Sequence, residues 1–428
     1  MKFLKEKNLF SKLTVFLLCI MPFYVFLKVF FEHKLGFDKF WMLLKEVPIV
    51  LLFGTLSYYY IRDKKLPKFD ILDYSIFTYF AYGIGITLLN GHGINYIVYW
   101  GRYDFLFFWV FLIFKHSKEY LQYNFKELVK IFFLSGLVSL FLGLMIKFIM
   151  DEEYLTVFWY SHYISNWTYN WSIPNYHWLE NSWIRRFQGL LEWPNAMWYF
   201  LIVLSACFLY LQRKKNQYYV YLFSFAFLYL VLLTYSRSAL LWIISAGGLL
   251  FLLNIKYIYN HYKKYFLAAT VALICFTWIL WFVFQEKIYN AVIRPSSTAW
   301  HIERMAIWVD RFLEKPLGSW LATSGPAYRN VYPEKNTREF EEYYIPESWF
   351  VQQLTEWGII YFTLFCLIFL LILIRIYPKS KVMFAALIAV LVMNVFLHIF
   401  ESTHMSYAFF LLLWVLYASG KKWKILWK

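Results

Sequence analysis

The chain has 428 residues, 61% of them hydrophobic, and a formal net charge of +16 at pH 7. Long apolar runs extend from one end to the other, and the mean hydropathy of +0.49 exceeds what a soluble core can absorb. The only lengthy polar stretches are residues 151–186 and 285–347. The composition therefore excludes a soluble enzyme or a separate soluble catalytic domain, and it indicates a membrane protein.

The apolar runs predict an all-α polytopic fold with about twelve transmembrane helices, because each span needs about 20 apolar residues. No small-residue cleavage site follows the first run, so we expect it to be a retained helix. We expect a single integral membrane domain over 1–428, with N-terminal helices in 1–150, a core in 185–360 and C-terminal helices in 361–428. The predicted spans are 13–31, 41–61, 71–89, 95–114, 126–150, 192–211, 218–234, 238–254, 265–284, 348–374, 382–400 and 404–419.

Lysine and arginine in the short loops predict the orientation of these spans. The basic loops all fall on the same side as the N-terminus, which places both termini in the cytoplasm. The two long loops, 151–186 and 285–347, are then outside. The basic loops are 62–68, 115–118, 212–215, 256–264, 375–381 and the C-terminal tail.

The basic loops also account for most of the net charge, so the charge indicates contact with anionic lipids of the bilayer. No aromatic-basic motif accompanies it, and we expect no nucleic-acid partner. The cysteines lie inside apolar runs without metal-type spacing, so we expect neither disulfides nor a metal site. They are Cys19, Cys207, Cys275 and Cys366.

Several arginines fall on the outer side, where the positive-inside bias disfavours them. Arg237 lies in a very short outer turn within "LLTYSRSALLW" (232–242), Arg185 and Arg186 precede the sixth span, and Arg304 lies in the last long loop. One interpretation is snorkelling or pairing with a carboxylate. The other is a diphosphate site, because guanidinium groups bind phosphate oxygens in bidentate fashion and stay charged.

Arg102 and Asp104 lie inside the fourth predicted span, where charged side chains are costly and usually face a cavity. Arg102 could reach the same anionic head group from below the surface, or it could pair with other polar groups in the bundle. We expect Glu356 and Glu401, near helix ends, to be structural partners of such arginines.

Three blocks of sequence resemble the O-antigen ligase and Wzy-type polysaccharide polymerase superfamily of bacterial inner membranes. The first is "RRFQGLLEWPNAMWYFLIVL" (185–204), with an R-x-x-G…P-N pattern. The second is "LLTYSRSALLW", and the third is "HIERMAIWVDRFLEKPLGSWLATSGPA" (301–327) followed by "IPESWFVQQLTEWGII" (345–360), with an E-x-G-I ending. The blocks occur in the family's order and with matching topology.

The resemblance implies a GT-C-like, metal-independent glycosyltransferase that needs no cofactor. Its donor would be a glycan on undecaprenyl diphosphate at the outer face, and its acceptor another sugar. Arg237, Arg186, Arg304 and Arg102 would bind the diphosphate, whose charge grows as it leaves. Chain-length regulators or flippases are candidate partners.

The chain departs from many ligases of the family at one position. They carry a histidine eleven residues before the glycine of the E-x-G-I ending, and here that residue is Glu347. A carboxylate can serve as general base, so Glu347 is the candidate catalytic residue, with His301, His162 or His177 as alternatives. Glu347 could instead be the N-cap of a helix beginning at Ser348. The departure favours a polymerase over a ligase.

A different function class also fits part of the sequence. A transporter or flippase of lipid-linked sugar or anionic solute would explain a buried Arg102, but it needs neither of the long outer loops. No paired Gly/Pro-broken helices occur in matching halves of the chain. We therefore favour the glycosyltransferase.

Overall fold

The computed structural model describes residues 7–37, 40–149, 185–212, 217–236, 245, 247–250, 252–253, 295–332 and 346–418. Within these ranges the elements are helices and there is no β-strand, which confirms the all-α prediction for this part of the chain. The α-helices are α1 (Leu9–Ile20), α2 (Tyr24–Val29), α3 (Phe40–Arg62), α4 (Ile71–Leu89), α5 (Ile94–Trp100), α6 (Leu106–His116), α7 (Phe125–Phe148), α8 (Pro194–Leu211), α9 (Gln217–Leu233), α10 (Pro295–Glu314), α11 (Gly325–Val331), α12 (Trp349–Ile376), α13 (Lys381–Asn394) and α14 (Thr403–Ala418).

Six helical segments among the described residues are long and apolar enough to cross a membrane, so the chain is a multi-pass membrane protein. They are Leu9–Glu32, Ile71–Leu89, Ile94–His116, Phe125–Phe148, Pro194–Leu211 and Trp349–Ile376. The apolar helices Leu222–Leu233, Lys381–Asn394 and Thr403–Ala418 are shorter. Helices occupy the predicted spans except 265–284, which lies outside the described residues, and 238–254, which is described only in pieces.

Polar side chains set the starts of several helices. Asp70 and Asn124 each form a capping box at the start of α4 and α7. Ser348 and Ser380 accept hydrogen bonds from the first turns of α12 and α13. Such caps each contribute about 0.5–2 kcal/mol, and they fix the points at which the chain enters the bundle.

The eleventh predicted span, 382–400, is wrong at its C-terminal end, because α13 stops at Asn394. The Asn394 side chain accepts hydrogen bonds from Ile399 N at 3.1 Å and Phe400 N at 3.2 Å. These bonds turn the chain out of the helix and into a 3₁₀ turn at Ile399–Glu401. Residues 395–402 therefore form a connection instead of a fifth helical turn.

Helix α14 lies at the centre of the described bundle. It is buried from Thr403 to Tyr417 and packs most extensively against α6. Helix α8 is also buried along most of its length and contacts α7, α13 and α14. A helix that is apolar on all sides is expected inside a bundle, so the polar groups at the ends of α8 and α14 are held on a rigid support.

Candidate functional site

The first and second sequence blocks meet at the end of α9. Phe187 N donates to Leu233 O at 2.9 Å, and Arg186 Nε donates to Thr234 O at 2.8 Å. Arg186 is thus fixed beside the residues that lead to the predicted Arg237. The described chain stops at Ser236, so Arg237 itself lies outside it.

The P-N pair of the first block holds the second block. Pro194 is the first residue of α8, a position that suits its fixed φ angle and missing N–H. Asn195 Oδ1 then accepts a hydrogen bond from Ser236 Oγ at 3.0 Å. Tyr235, just before this serine, has a left-handed φ of 49°, which is uncommon for a non-glycine residue. The turn before Arg237 is therefore imposed by its surroundings.

Gly189, the glycine of the R-x-x-G pattern, has a structural explanation. Its φ is +57°, and a Cβ atom on the facing Gly143 would lie 2.7 Å from Gly189 Cα. The loop therefore approaches α7 backbone to backbone. Arg185 serves the same contact, because its NH2 donates to Ile146 O at 3.0 Å and Lys147 O at 2.8 Å at the C-terminal end of α7.

Glu347 and Arg304 form an ion pair at the start of α12. Arg304 NH1 lies 3.4 Å from Glu347 Oε1, and the two side chains are 5% and 15% exposed. His301, one turn before Arg304 on α10, places Nδ1 3.1 Å from Glu347 Oε2. The structure therefore brings together the predicted base, one predicted diphosphate ligand and one of the alternative bases.

The interpretation of Glu347 as the helix N-cap is wrong. Helix α12 begins at Trp349, and Ser348 is its cap, accepting a hydrogen bond from Val351 N at 3.3 Å. Glu347 lies one residue earlier, with a left-handed φ of 53°. Left-handed conformations of non-glycine residues cluster at functional sites, where packing over-determines them. Its carboxylate is thus directed to α10 instead of to its own helix.

The E-x-G-I ending marks a break inside α12. Gly358 has φ 70° and ψ 174°, which glycine tolerates and other residues do not. The loop before α11 passes this break, where Ile359 N donates to Pro316 O at 3.0 Å and Ser319 N donates to Thr355 O at 3.2 Å. A Cβ on Gly358 would clash with the backbone of that loop. The motif therefore locks the loop before α11 onto α12.

The expectation that Glu356 and Glu401 pair with arginines is wrong within the described residues, where both carboxylates contact other side chains. Glu356 Oε1 accepts from Thr323 N at 2.9 Å and from the Thr323 hydroxyl at 3.3 Å. Glu401 Oε1 lies 3.2 Å from His398 Nδ1. Glu356 therefore anchors the loop before α11, and Glu401 forms an ion pair with a histidine.

Arg102 has a carboxylate neighbour inside the bundle. Its Nε lies 3.1 Å from Glu46 Oε1, and Lys45 Nζ lies 3.5 Å from the same oxygen. Tyr407 OH donates to the Arg102 carbonyl at 3.0 Å. These contacts agree with the interpretation that Arg102 pairs with polar groups of the bundle.

Asp104 connects the fourth predicted span to the start of α12. Its Oδ1 accepts from Trp349 Nε1 at 2.8 Å and from Gln353 Nε2 at 3.1 Å. Gln353 in turn accepts from Tyr79 OH at 2.7 Å. This buried network holds the first turn of α12, and with it the position of Glu347.

The connection between α13 and α14 contributes polar residues that the sequence reasoning did not bring to the site. Ser402 Oγ donates to Glu192 Oε1 at 3.2 Å, and His404 Nε2 lies 3.8 Å from Glu192 Oε2. On the other side, Trp349 N donates to Leu397 O at 3.4 Å. The connection therefore joins the first block to the third. The sequence signal that could have pointed to this connection is the pair His398 and Glu401, a histidine and a glutamate three residues apart in "HIFE".

Two groups of residues follow from this geometry. One contains Arg186 and the turn that leads to Arg237, and the other contains Glu347, Arg304 and His301. Fixed guanidinium groups can stabilise a leaving anion, and a carboxylate beside them can accept a proton. The two groups thus suit a reaction in which a hydroxyl attacks and an anion leaves.

A comparison with protein families agrees with this chemistry. Residues 220–366 match a family model described as O-antigen ligase. The matched range contains Arg237, Arg304 and Glu347, and it ends before His398. No curated protein matches the chain. About a third of the chain is therefore similar to the O-antigen ligase family.

Proposed function

We propose that this chain is a polysaccharide ligase or polymerase of the O-antigen ligase family, with a GT-C-like fold, and that it transfers a glycan from undecaprenyl diphosphate to an acceptor sugar. The reaction would take place at the outer face of the bacterial inner membrane, with both termini in the cytoplasm. The observation that carries the proposal is the buried contact between Arg304 and Glu347 at 3.4 Å. It places a phosphate-binding group beside a proton acceptor.

The bond changes assign a role to each group. The acceptor hydroxyl oxygen forms a bond to the anomeric carbon of the donor sugar, while the bond from that carbon to the diphosphate oxygen breaks. Glu347 accepts the hydroxyl proton, and the electron pair leaves with the lipid diphosphate. Arg304, Arg186 and Arg237 stabilise the charge that develops there, so no divalent metal is required.

The transporter alternative depended on an arginine buried inside a span. Arg102 has Glu46 as a neighbour at 3.1 Å, which gives it a structural reason to be there. This ion pair accounts for Arg102 without a transport function. In the proposed site Arg102 is a further ligand of the diphosphate, and its charge adds to the positive electrostatic potential around the leaving group.

The test uses the purified full-length protein in lipid nanodiscs, with a labelled undecaprenyl diphosphate oligosaccharide, an acceptor glycan, EDTA and no nucleotide. We expect a new glycan product and released undecaprenyl diphosphate. Arg304→Gln and Arg186→Gln should abolish it. Arg311→Gln is a matched control on the same helix as Arg304. The Arg311 guanidinium lies over the Trp308 ring at 4.6 Å and has no role in the proposed site, so this variant should transfer glycan at the parental rate.

Two results would refute this function. One is movement of the donor across proteoliposomes without formation of a glycosidic bond, which would support the transporter. The other is loss of all product in EDTA with recovery on adding a divalent cation, which would contradict the role of the arginines. A parental rate in Arg304→Gln would remove that residue from the donor site.

A further inference from the structure

The turn at residues 398–401 is held in place by its surroundings. Asn394 is fully buried and directs its side-chain oxygen to Ile399 N and Phe400 N. Ser406 Oγ donates to Phe400 O at 2.9 Å. Side chains that act in a site need such support, because a displacement of about 1 Å weakens their interactions. The turn is therefore built as a support for the side chains it carries.

The turn presents a histidine oriented by a carboxylate. His398 Nδ1 lies 3.2 Å from Glu401 Oε1, and the two side chains are 11% and 7% exposed. A carboxylate at one ring nitrogen fixes the imidazole and leaves the other nitrogen for function. Within the described ranges neither ring nitrogen of His398 forms a hydrogen bond, so the contact with Glu401 is an ion pair and the buried Nε2 has no partner. Such an atom is costly unless a ligand or water meets it, so it indicates a binding position.

The pair lies beside the predicted base. The hydrogen bond between Trp349 N and Leu397 O joins the residue before His398 to the second residue after Glu347. The negative charge of Glu347 acts on His398 through space. On the far side, Ser402 reaches Glu192 of the first block. The pair therefore stands between the base and the R-x-x-G…P-N block.

The charges around His398 favour its protonated form. Burial alone would lower the pKa of His398, but the Glu401 carboxylate raises it, and Glu347 and Asp104 add to that effect. The net direction is a pKa above the ordinary value. An imidazolium held in this way donates a hydrogen bond from Nε2 to an oxygen atom.

We propose that His398, oriented by Glu401, forms the acceptor side of the site and binds an oxygen of the acceptor sugar next to the attacking hydroxyl. This inference rests on the function proposed above and specifies which part of the protein holds the acceptor. Glu347 accepts the proton of the attacking hydroxyl, and His398 Nε2–H donates to the neighbouring sugar oxygen. Glu401 is a positioning residue, because it acts through His398.

The test compares His398→Gln, Glu401→Gln and the double variant in the transfer assay. A hydrogen bond to a charged group contributes enough that we expect the acceptor KM to rise about 10- to 100-fold in His398→Gln, with a donor KM within about threefold of the parent. Because Glu401 acts through His398, the double variant should be no worse than His398→Gln alone. If His398→Gln does not fold, Glu401→Gln carries the same readout.

The chain offers a matched control at the opposite end of the bundle. His116 Nε2 lies 3.0 Å from Asp73 Oδ1, so it is a histidine–carboxylate pair of the same kind. His116→Gln should leave the acceptor KM within about threefold of the parent. An equal rise in His116→Gln and His398→Gln would show a general loss of folding and overturn the proposal.

Three further results would also overturn it. They are an unchanged acceptor KM in His398→Gln, a rise in donor KM equal to the rise in acceptor KM, and additive effects of the two single substitutions. A parent protein that forms no glycosidic bond would refute the proposed function and this inference together. Transfer by the parent with an unaffected His398→Gln would refute only the acceptor site.

Discussion

Replacing Glu347 with glutamine separates the two roles that its contacts allow. The carboxylate faces Arg304 NH1 at 3.4 Å and His301 Nδ1 at 3.1 Å. The glutamine amide keeps the size of the side chain and one oxygen that can face Arg304. It cannot take a proton, and it carries no charge to balance the guanidinium.

The expected loss is in the chemical step. Removing a general base typically lowers the rate by about 10²- to 10⁴-fold, which corresponds to about 3–5 kcal/mol of transition-state stabilisation. The 3.4 Å contact to Arg304 is long for a charge-assisted hydrogen bond, so Arg304 should keep its place without it. The donor KM should therefore change by less than about threefold while kcat falls.

Single-turnover transfer from a labelled lipid-linked donor measures the step directly. Glu303→Gln is the matched control, because Glu303 is an exposed carboxylate on the same helix, two residues after His301. A Glu347→Gln protein that transfers at the parental rate, with only a lower thermal midpoint, would show that Glu347 is an ion-pair partner and not the base. A large rise in donor KM with unchanged kcat would assign it to holding Arg304.

Three other predictions concern the support of the site, and a fourth concerns the orientation of the chain in the membrane. Gly189→Ala should lower the thermal midpoint, since its φ of +57° is unfavourable for alanine. Gly358→Ala should be more destabilising, because the strained φ and the clash with the facing loop add. We expect it to lower the free energy of unfolding by about 4 kcal/mol or more in a denaturation series. The pKa of His398 is raised in the folded protein. The stabilisation of the folded state by protonated His398 is therefore complete below pH about 6.5 and is lost as the pH rises through the folded-state pKa. The difference in thermal midpoint between the parent and His398→Gln should accordingly shrink from pH 6 to pH 9. In a protein without native cysteines, an impermeant maleimide added outside should label a cysteine at Tyr332 and not one at Lys215, and the reverse would refute the orientation.

Much of the fold follows from the sequence because apolar length and loop charge are local properties. Helices lie at the predicted spans wherever the chain is described, apart from one or two residues at some ends and from residues 395–398 of the eleventh span. The end of α13 could not be predicted in this way, since Val395, Phe396 and Leu397 continue the apolar run. Asn394 ends the helix through hydrogen bonds to residues that follow it, and a hydropathy pattern does not record such bonds.

The candidate site was predictable in part. The three blocks named Arg186, Arg304 and Glu347, and the structure brings Arg304 and Glu347 into contact. His398 and Glu401 were not assigned to the site, because both lie outside the blocks. His398 was expected inside a transmembrane helix, and Glu401 was expected to pair with an arginine. Their proximity to Glu347 depends on the packing of α12 against the connection before α14, which is a long-range contact.

The backbone strain indicates how this site is kept in order. Three of the four non-glycine residues with positive φ in the described chain lie in the sequence blocks: Tyr235, Ala322 and Glu347, while the fourth is Lys64. Each such conformation costs about 1–3 kcal/mol and persists only where neighbouring packing imposes it. Here the packing comes from α8, α12 and α14, which are buried at these ends. A rigid bundle that forces the turns carrying Glu347 and preceding Arg237 can hold charged groups in place before the substrate arrives, and donors fixed in advance stabilise a developing anion without the energetic cost of reorganisation.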